Sequence, residues 1–271
     1  MDAQSSFFRP KLGRALGIAF GLVTQSCFAV TVWGLFWYLY GGDGAGQARS
    51  SHWVVVDALL ALQFAVAHSV LLLPSSRSRI AKWMPPALFS TLSCAATCAG
   101  LWLTFTLWRT SSSAVWDLHG AAAFGMRAAF VASWLALFYS LSLSGFGYQT
   151  GWTQWRYWLK HQPLPRRGFV EHGAFRWLRH PAYLSFLGLI WFTPHMTFDH
   201  ALLTGVWTCY IFIGSVLKDQ RLAYYLGDGY REYACRVPGY PGMFLGPLAR
   251  WPQPAPVANE PISRLATPRA A

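Results

Sequence analysis

Charged side chains are scarce in this chain of 271 residues. Asp, Glu, Lys and Arg make up 12% of the sequence, whereas hydrophobic residues make up 54%. A soluble domain carries about twice that share of charge. Acidic residues are the rarest class, with 10 Asp and Glu against 22 Lys and Arg, which gives a net charge of +12. The composition excludes an ordinary soluble protein and predicts a chain that crosses a membrane several times.

The sequence also lacks the short motifs that mark several large enzyme classes. It contains no P-loop, no G-x-G-x-x-G fingerprint, no G-x-S-x-G elbow and no H-E-x-x-H zinc motif. The five cysteines include no Cys-x-x-Cys pair and fall mostly in apolar runs, which predicts neither disulfides nor a metal site. Basic residues flank the apolar runs instead of forming one basic face. This pattern argues against nucleic acid as a partner and favours the lipid bilayer.

Long apolar runs predict the architecture. Four of them approach or exceed the roughly 18 to 20 residues that cross a bilayer core. A further apolar stretch, residues 183–217, is broken by Pro194 and predicts a hairpin with helices at about 183–193 and 200–217. The predicted fold class is therefore all-α. It has a C-terminal helical hairpin, a polar segment at the cytoplasmic face, and four transmembrane helices at about 15–40, 53–73, 87–108 and 121–144.

The distribution of Lys and Arg predicts the orientation in the membrane. Basic residues precede the first span, follow the second and fill residues 148–181, so these segments and both termini are expected on the cytoplasmic side. In a bacterium this membrane is the inner membrane. Aromatic residues beside cations at 152–158 predict a segment that lies along the membrane surface. Residues 1–250 are predicted to form one integral-membrane domain and residues 251–271 a disordered tail rich in Pro and Ala. The oligomeric state stays open.

The segment 173–183, GAFRWLRHPAY, joins the basic loop to the hairpin and contains the first candidate site residues. Pro181 predicts a helix start, because proline is favoured in the first turn. Arg176, Arg179 and His180 then lie just ahead of a helix N-terminus, where backbone N–H groups favour a carboxylate or phosphate. The imidazole of His180 also exchanges protons near neutral pH. The alternative is that the arginines only set the topology and that His180 only caps the helix.

A second polar segment, which is predicted to be helical, follows the hairpin and is expected to face the first. It contains Asp219, Arg221 and tyrosines at 224, 225, 230 and 233. The two segments together offer cations for a carboxylate, a carboxylate for an ammonium or ribose hydroxyls, and aromatic faces for adenine or a sulfonium. This combination matches the groups of S-adenosylmethionine.

The same residues carry a resemblance to known proteins. Arg-His-Pro-x-Tyr at 179–183, followed by a hairpin, resembles the isoprenylcysteine carboxyl methyltransferase superfamily, as do Leu217, Asp219, Leu222, Gly227, Tyr230, Tyr233 and Val237-Pro238. Two further stretches, W-F-T-P-H-M-T at 191–197 with His200 and A-H-S-V at 67–70, are similar to motifs of its methanethiol S-methyltransferase family. The likeness extends loosely over residues 15–240.

The resemblance implies a membrane-embedded, S-adenosylmethionine-dependent methyltransferase that acts on a small thiol, with methanethiol and dimethyl sulfide as the leading substrate and product. The predicted cofactor site comprises Arg176, Arg179, His180, Tyr183, Asp219, Tyr230 and Tyr233. A thiol acceptor must lose its proton, and the candidate bases are His180 and the intramembrane His68. The alternative for His68, which its place in an apolar span favours, is a hydrogen-bonded structural histidine.

Two positions depart from the family pattern and leave alternatives open. The family has paired glutamates where this chain has Lys218 and Asp219, and a polar Asn-His-Phe-Asp stretch where it has Ser-Gly-Phe-Gly at 144–147. The acceptor could therefore be a prenylcysteine carboxylate or a phospholipid amine. The non-enzymatic alternative is a membrane protein of the kind called NnrU, which predicts no cofactor binding.

Overall fold

The computed structural model of the protein describes residues 13–41, 52–165 and 171–252. Several sequence predictions concern residues outside these ranges. They are the cations at 9 and 11, most of the loop after the first span, the arginines at 166 and 167, and the tail from residue 253.

Long apolar helices form the first half of the fold. They begin and end within two residues of the four predicted spans. In chain order the elements are α1 (Arg14–Gly41), α2 (Trp53–Leu72), the short α3 (Pro74–Ile80), a 3-10 turn (Pro86–Leu88), α4 (Phe89–Leu107) and α5 (Gly120–Ser144). Pro74 and Pro86 stand in the first turn of their elements, where the missing N–H costs no hydrogen bond.

The second half contains shorter helices and the predicted hairpin. Its elements are α6 (Phe146–Gln149), α7 (Trp152–Leu159), a 3-10 turn (Gly173–Arg176), α8 (Pro181–Trp191), α9 (Phe198–Leu226) and α10 (Asp228–Arg236). The hairpin of α8 and α9 is confirmed. The helical segment predicted after 217 is not a separate helix, because α9 continues nine residues beyond the predicted end of the hairpin arm at 217. The polar residues after 217 are good helix formers. The helix therefore continues until Gly227, whose φ of 61° favours glycine.

A small β-ribbon was absent from the prediction. Strands β1 (Ala114–Asp117) and β2 (His195–Thr197) pair antiparallel, with Asp117 opposite His195. Nδ1 of His195 lies 3.1 Å from Oδ1 of Asp117, which joins the two strands through their side chains. The ribbon connects the α4–α5 loop to the turn of the hairpin. Apart from this ribbon, the regular structure of the described residues is all helical, as the predicted all-α class requires.

Within the described ranges, five helical segments are long and apolar enough to cross a membrane. They are α1, α2, α4 with its preceding turn, α5 and α9. Only 22 to 44% of the apolar window of each segment is buried inside the protein. Large apolar side chains such as Leu16, Val23, Leu59, Phe124 and Leu135 are exposed on the helix surfaces. A continuous exposed apolar surface requires lipid around it, so the chain is a polytopic membrane protein.

The core is shared by all the long helices and by α8. Its buried side chains are Leu39, Leu60, Ala61, Leu101, Phe105, Trp108, Phe130, Trp134, Leu137, Leu189, Ile190, Leu203 and Trp207. Helix α5 packs against α8, and α2 packs against α4 and α9. The short α8 is thereby fixed between a spanning helix and its hairpin partner. This packing fixes the start of α8, where His180 lies.

The predicted surface segment, α7, directs two of its tryptophans into the protein. Trp155 and Trp158 are 4% and 6% exposed and pack on Gly21 and Gly17 of α1. The indole N–H of Trp155 donates to the Gly17 carbonyl at 3.0 Å. Small residues allow this close approach, as in many helix contacts within membranes. Helix α7 therefore fastens the start of α1 to the rest of the bundle.

Replacement of Gly151 by alanine is expected to destabilise this attachment. Gly151 precedes α7 with φ of 81°, and an added Cβ would lie 2.4 Å from the backbone nitrogen of Thr91. The backbone conformation alone costs a non-glycine residue roughly 1–3 kcal/mol, and the contact with Thr91 adds to this cost. We expect Gly151→Ala to lower the thermal midpoint in detergent, measured by tryptophan fluorescence. Gly125→Ala is the control, because a Cβ there meets nothing within 4 Å; equal losses in both variants would contradict the prediction.

Candidate active site

The candidate site lies at the end of the bundle where α8 begins and α9 ends, which we call the His180 end. Helix α1 begins here, as Nη2 of Arg14 donates to the Leu159 carbonyl at 3.4 Å. The end of α5 lies here as well, because Gly173 approaches Leu143 closely. The β-ribbon and the turn of the hairpin occupy the opposite end, together with a cleft beside Asp117 and Arg127.

A buried ion pair between Arg179 and Asp219 forms the centre of the site. Nε and Nη2 of Arg179 lie 3.0 and 2.9 Å from Oδ2 of Asp219. Neither side chain is more than 1% exposed. Two charges interact strongly when they are buried away from water. Removal of either partner would be destabilising, because it would leave an uncompensated buried charge.

The remaining donors of Arg179 bind the chain that follows α10. Nη1 lies 3.2, 2.7 and 3.0 Å from the carbonyl oxygens of Ala234, Val237 and Ala249, and Nη2 lies 3.2 Å from that of Pro247. The sequence suggested that the cations and the carboxylate bind opposite ends of a cofactor. In the structure Arg179 and Asp219 bind each other, and the guanidinium also fixes residues 234–249 over the site.

The second oxygen of Asp219 contacts Tyr230 and His180. The Tyr230 hydroxyl donates to Oδ1, and Nε2 of His180 lies 3.0 Å from the same atom in a close contact that is not aligned as a hydrogen bond. Burial, and then the charge of Asp219, raise the pKa of Tyr230 well above its usual value, so its hydroxyl stays a donor. The turn at Gly227 brings Tyr230 back to a residue eleven positions earlier.

His180 is the N-cap residue of α8, and Pro181 is the first helical residue, as predicted. Its imidazole is 1% exposed and lies beside the rings of Tyr183 and Tyr240, with centroids 5.5 and 5.6 Å away. Burial lowers the pKa of His180, against the opposing effect of Asp219. The ring is therefore neutral at pH 7. Its Nδ1 has no hydrogen-bond partner among the described residues.

Two further cations border the site on the side of α2. Nζ of Lys218 lies 4.9 Å from the centroid of the Tyr183 ring. Arg221 is exposed and interacts electrostatically with Tyr183 and with His68. Among the described residues neither cation forms an ion pair with a carboxylate. The site thus carries positive charge that the described part of the protein does not neutralise.

Comparison with known proteins assigns the family. A protein named methanethiol S-methyltransferase from Mycobacterium tuberculosis is 30% identical over 228 residues, which are 82% of this chain and 88% of the relative. The chain belongs to the methanethiol S-methyltransferase family. A methanethiol S-methyltransferase from a Pseudomonas species is 28% identical over 83% of this chain and 89% of the relative. Methanethiol S-methyltransferase 1 from Bradyrhizobium diazoefficiens is 27% identical over 84% of this chain and 82% of the relative. No family model and no solved structure matches the chain.

In this methanethiol S-methyltransferase family member, the structure brings together five of the predicted site residues: Arg179, His180, Tyr183, Asp219 and Tyr230. Tyr233 lies behind them, with its ring 5.7 Å from that of Tyr230 and its hydroxyl donating to the Phe175 carbonyl at 2.6 Å. Arg176 is exposed at the end of the 3-10 turn.

His68 lies on α2, apart from the ion pair. Its Nδ1 is 3.1 Å from Oγ1 of Thr97, and its ring stacks on that of Phe64. Sequence reasoning missed Tyr240, which packs on His180 and whose hydroxyl contacts that of Ser215. It also noted Lys218 only as a departure from the family pattern. No periodicity marks Tyr240, because it lies in an irregular segment that Arg179 folds back.

Tyr230→Phe is expected to destabilise the site of this family member without removing a charge. The change deletes one hydrogen bond to a buried carboxylate, which contributes about 1.5–3 kcal/mol. We expect a lower thermal midpoint in detergent. Tyr224→Phe is the matched control because Tyr224 is 81% exposed. If the two variants unfolded at the same temperature, the bond to Asp219 would have no stabilising role.

Proposed function

We propose that this chain is a membrane-embedded methyltransferase that transfers a methyl group from S-adenosylmethionine to methanethiol and releases dimethyl sulfide. One observation carries the proposal beyond family membership. The unpartnered Nδ1 of a buried, neutral His180 lies in a site bordered by aromatic rings and unneutralised cations. Such a site suits a reaction that removes a proton from a small neutral acceptor beside a charged donor.

The residues present fit the donor. Its carboxylate would be held by Arg221, with Arg176 adding positive charge at the exposed rim, and its sulfonium would lie against Tyr183 or Tyr240. The helix N-terminus at Pro181 adds backbone dipoles that favour the carboxylate. When bound, S-adenosylmethionine supplies a methyl group that a sulfur nucleophile accepts.

The other predicted residues hold the proposed donor-binding residues in place. Tyr230 holds Asp219, whose carboxylate lies against His180. Arg179 holds the covering segment 234–249, and Tyr233 holds the 3-10 turn through Phe175. His180 is favoured over His68 as the base, because Nδ1 of His68 is already hydrogen-bonded to Thr97. A base within reach of a thiol proton typically contributes about 10²–10⁴-fold to the rate.

We place the His180 end on the cytoplasmic side. At the opposite end the described residues contribute only Arg109 and Arg127. The other described cations lie at or near the His180 end: Arg14, Arg77, Arg79, Lys82, Arg156, Lys160, Arg176, Arg179, Lys218, Arg221, Arg231, Arg236 and Arg250. This asymmetry is the one that the positive-inside rule describes. In a bacterium the membrane would be the inner membrane, and the donor would enter from the cytoplasm.

The function is tested with purified protein in nanodiscs. Saturable binding of radiolabelled S-adenosylmethionine and appearance of labelled dimethyl sulfide in the headspace after addition of methanethiol are the expected results. Prenylcysteine and phosphatidylethanolamine are supplied in parallel. Methylation of either one in preference to methanethiol would replace the acceptor. Absence of donor binding in folded protein would overturn the enzyme assignment and favour the non-catalytic alternative.

A further inference from the structure

Lys218 occupies an unusual position for a cation. It lies on a helix long and apolar enough to span the membrane, next to Asp219 in sequence, yet Asp219 pairs with Arg179 and not with Lys218. The ammonium group lies over the face of Tyr183 instead, and Tyr183 stacks on His180 with an angle of 13° between the rings. Lys218 thus shares one aromatic ring with the proposed base.

The charges around Lys218 do not cancel. Asp219 and Arg221 from α9 interact with it directly, as do His180 and Tyr183 from the start of α8. Arg179, Tyr240 and His68 interact with these neighbours of Lys218. Arg179 neutralises Asp219, and the tyrosines and His180 are uncharged. A positive charge therefore remains beside Tyr183, and an anion bound there would be stabilised.

Lys218 and Arg221 lie at different depths. Lys218 precedes Arg221 by three residues, so it lies about 4.5 Å farther along the helix toward the membrane interior. It is half-buried, whereas Arg221 is exposed. A cation acts more strongly on a nearby anion where less water is present. Arg221 therefore suits a donor arriving from water, and Lys218 suits a small apolar acceptor arriving through the bilayer.

We propose that Lys218 binds the methyl acceptor as its thiolate. This inference rests on the proposed function and extends it to the residue that selects the acceptor class. The thiol S–H bond breaks, its proton moves to Nδ1 of His180, and the electron pair stays on sulfur, which pairs with the Lys218 ammonium. The sulfur then forms a bond to the methyl carbon while the donor's carbon–sulfur bond breaks and leaves its electron pair on the donor sulfur. A thiol gains from such a cation because only its thiolate is nucleophilic.

Lys218→Met tests the assignment through the pH dependence of kcat. The acid limb of kcat reports the ionisation of the bound complex, in which the thiol and His180 titrate together. Loss of a cation within about 4–6 Å of the titrating groups moves the midpoint of that limb about one pH unit higher. At a pH on the limb, kcat falls about tenfold, while the Kd for S-adenosylmethionine, measured by equilibrium binding without acceptor, stays within about twofold. Lys218→Arg keeps the charge, and its acid limb is expected at the same pH as that of the parent protein.

Arg221→Met is the matched variant on the same helix. It is expected to weaken donor binding without moving the acid limb. An unmoved limb in Lys218→Met, or a tenfold weaker donor Kd in that variant, would overturn the proposal, and the second result would make Lys218 a donor ligand. Thermal unfolding of each variant separates these outcomes from misfolding. Failure of the proposed function itself is distinguishable, because the parent protein would then produce no dimethyl sulfide.

Discussion

Asp219→Ala is expected to produce the largest loss of stability of any single change at the His180 end. The variant leaves the Arg179 guanidinium buried without its counter-charge, and breaking a buried pair in this way costs roughly 3–5 kcal/mol. Tyr230 loses its acceptor and His180 loses its carboxylate contact at the same time. Donor binding is expected to disappear together with the geometry of His180.

An exposed ion pair provides the matched control for Asp219→Ala. Arg236 and Glu171 lie 2.9 Å apart, with side chains 61% and 36% exposed. Surface pairs contribute about 1 kcal/mol or less, so Glu171→Ala is expected to unfold near the parent temperature and to bind the donor normally. The measurement is thermal unfolding in detergent combined with radiolabelled donor binding. If Asp219→Ala unfolded at the parent temperature, groups other than Asp219 would have to balance the buried charge of Arg179.

His180→Ala is expected to have the largest effect on the reaction. Removal of a general base lowers the rate by about 10²–10⁴-fold, and the loss of the ring between Tyr183 and Tyr240 is expected to weaken donor binding as well. The backbone bond from His180 to the Gly239 carbonyl does not require the imidazole. The variant should therefore remain folded in the membrane. Headspace detection of dimethyl sulfide and donor binding are the measurements.

His68→Ala is the corresponding control for the choice of base. Its ring is hydrogen-bonded to Thr97 and is not in contact with the ion pair, so its loss is expected to cost less than tenfold in rate. If His68→Ala lowered the rate as far as His180→Ala, the proton would be assigned to His68 and the role of His180 reduced to donor binding.

The pH dependence of stability gives a separate measure of His180. Its folded-state pKa is lowered from the ordinary value of 6.5, chiefly by burial. In the unfolded chain the ring binds a proton at a higher pH, so the stability from the neutral ring is present above 6.5 and is lost as pH falls below it. Thermal midpoints measured downward from pH 7.5 should decline below 6.5 in the parent. The decline is expected to be shallower in His180→Ala. If the thermal midpoint of this variant fell as steeply as that of the parent, the decline would be due to groups other than His180.

The sequence predicts the spans and the assembly of the site, but not its internal pairing. Apolar runs and flanking prolines set the bounds of α1, α2, α4 and α5 to within two residues. Pro181 likewise marks the start of α8. Two helical segments were predicted on either side of residue 217, whereas α9 passes through without a break, because Lys218 and the polar residues after it change the hydropathy without changing helix propensity. A change in polarity at a membrane surface does not end a helix.

The partner of Arg179 could not be predicted from motifs. Arg179 and Asp219 were both expected to face a ligand, since sequence shows which charges are present but not which acceptors lie within reach. The acceptors of Arg179 lie 40 to 70 positions away, and most are backbone carbonyls that any residue offers. Lys218 shows the converse case. Its departure from the family pattern is visible in the sequence, but its place over Tyr183 is a property of the fold.

The fixing of residues 234–249 by Arg179 has a consequence for biosynthesis. During synthesis the N-terminal parts of a chain are made and fold first, so every apolar helix is complete before Ala249 has been added. Until then the Arg179 guanidinium lacks the acceptors that lie 55 to 70 residues downstream. Inserted chains that stop short of this segment would therefore have all their membrane helices but no closed site. The site therefore closes only after Ala249 has been translated.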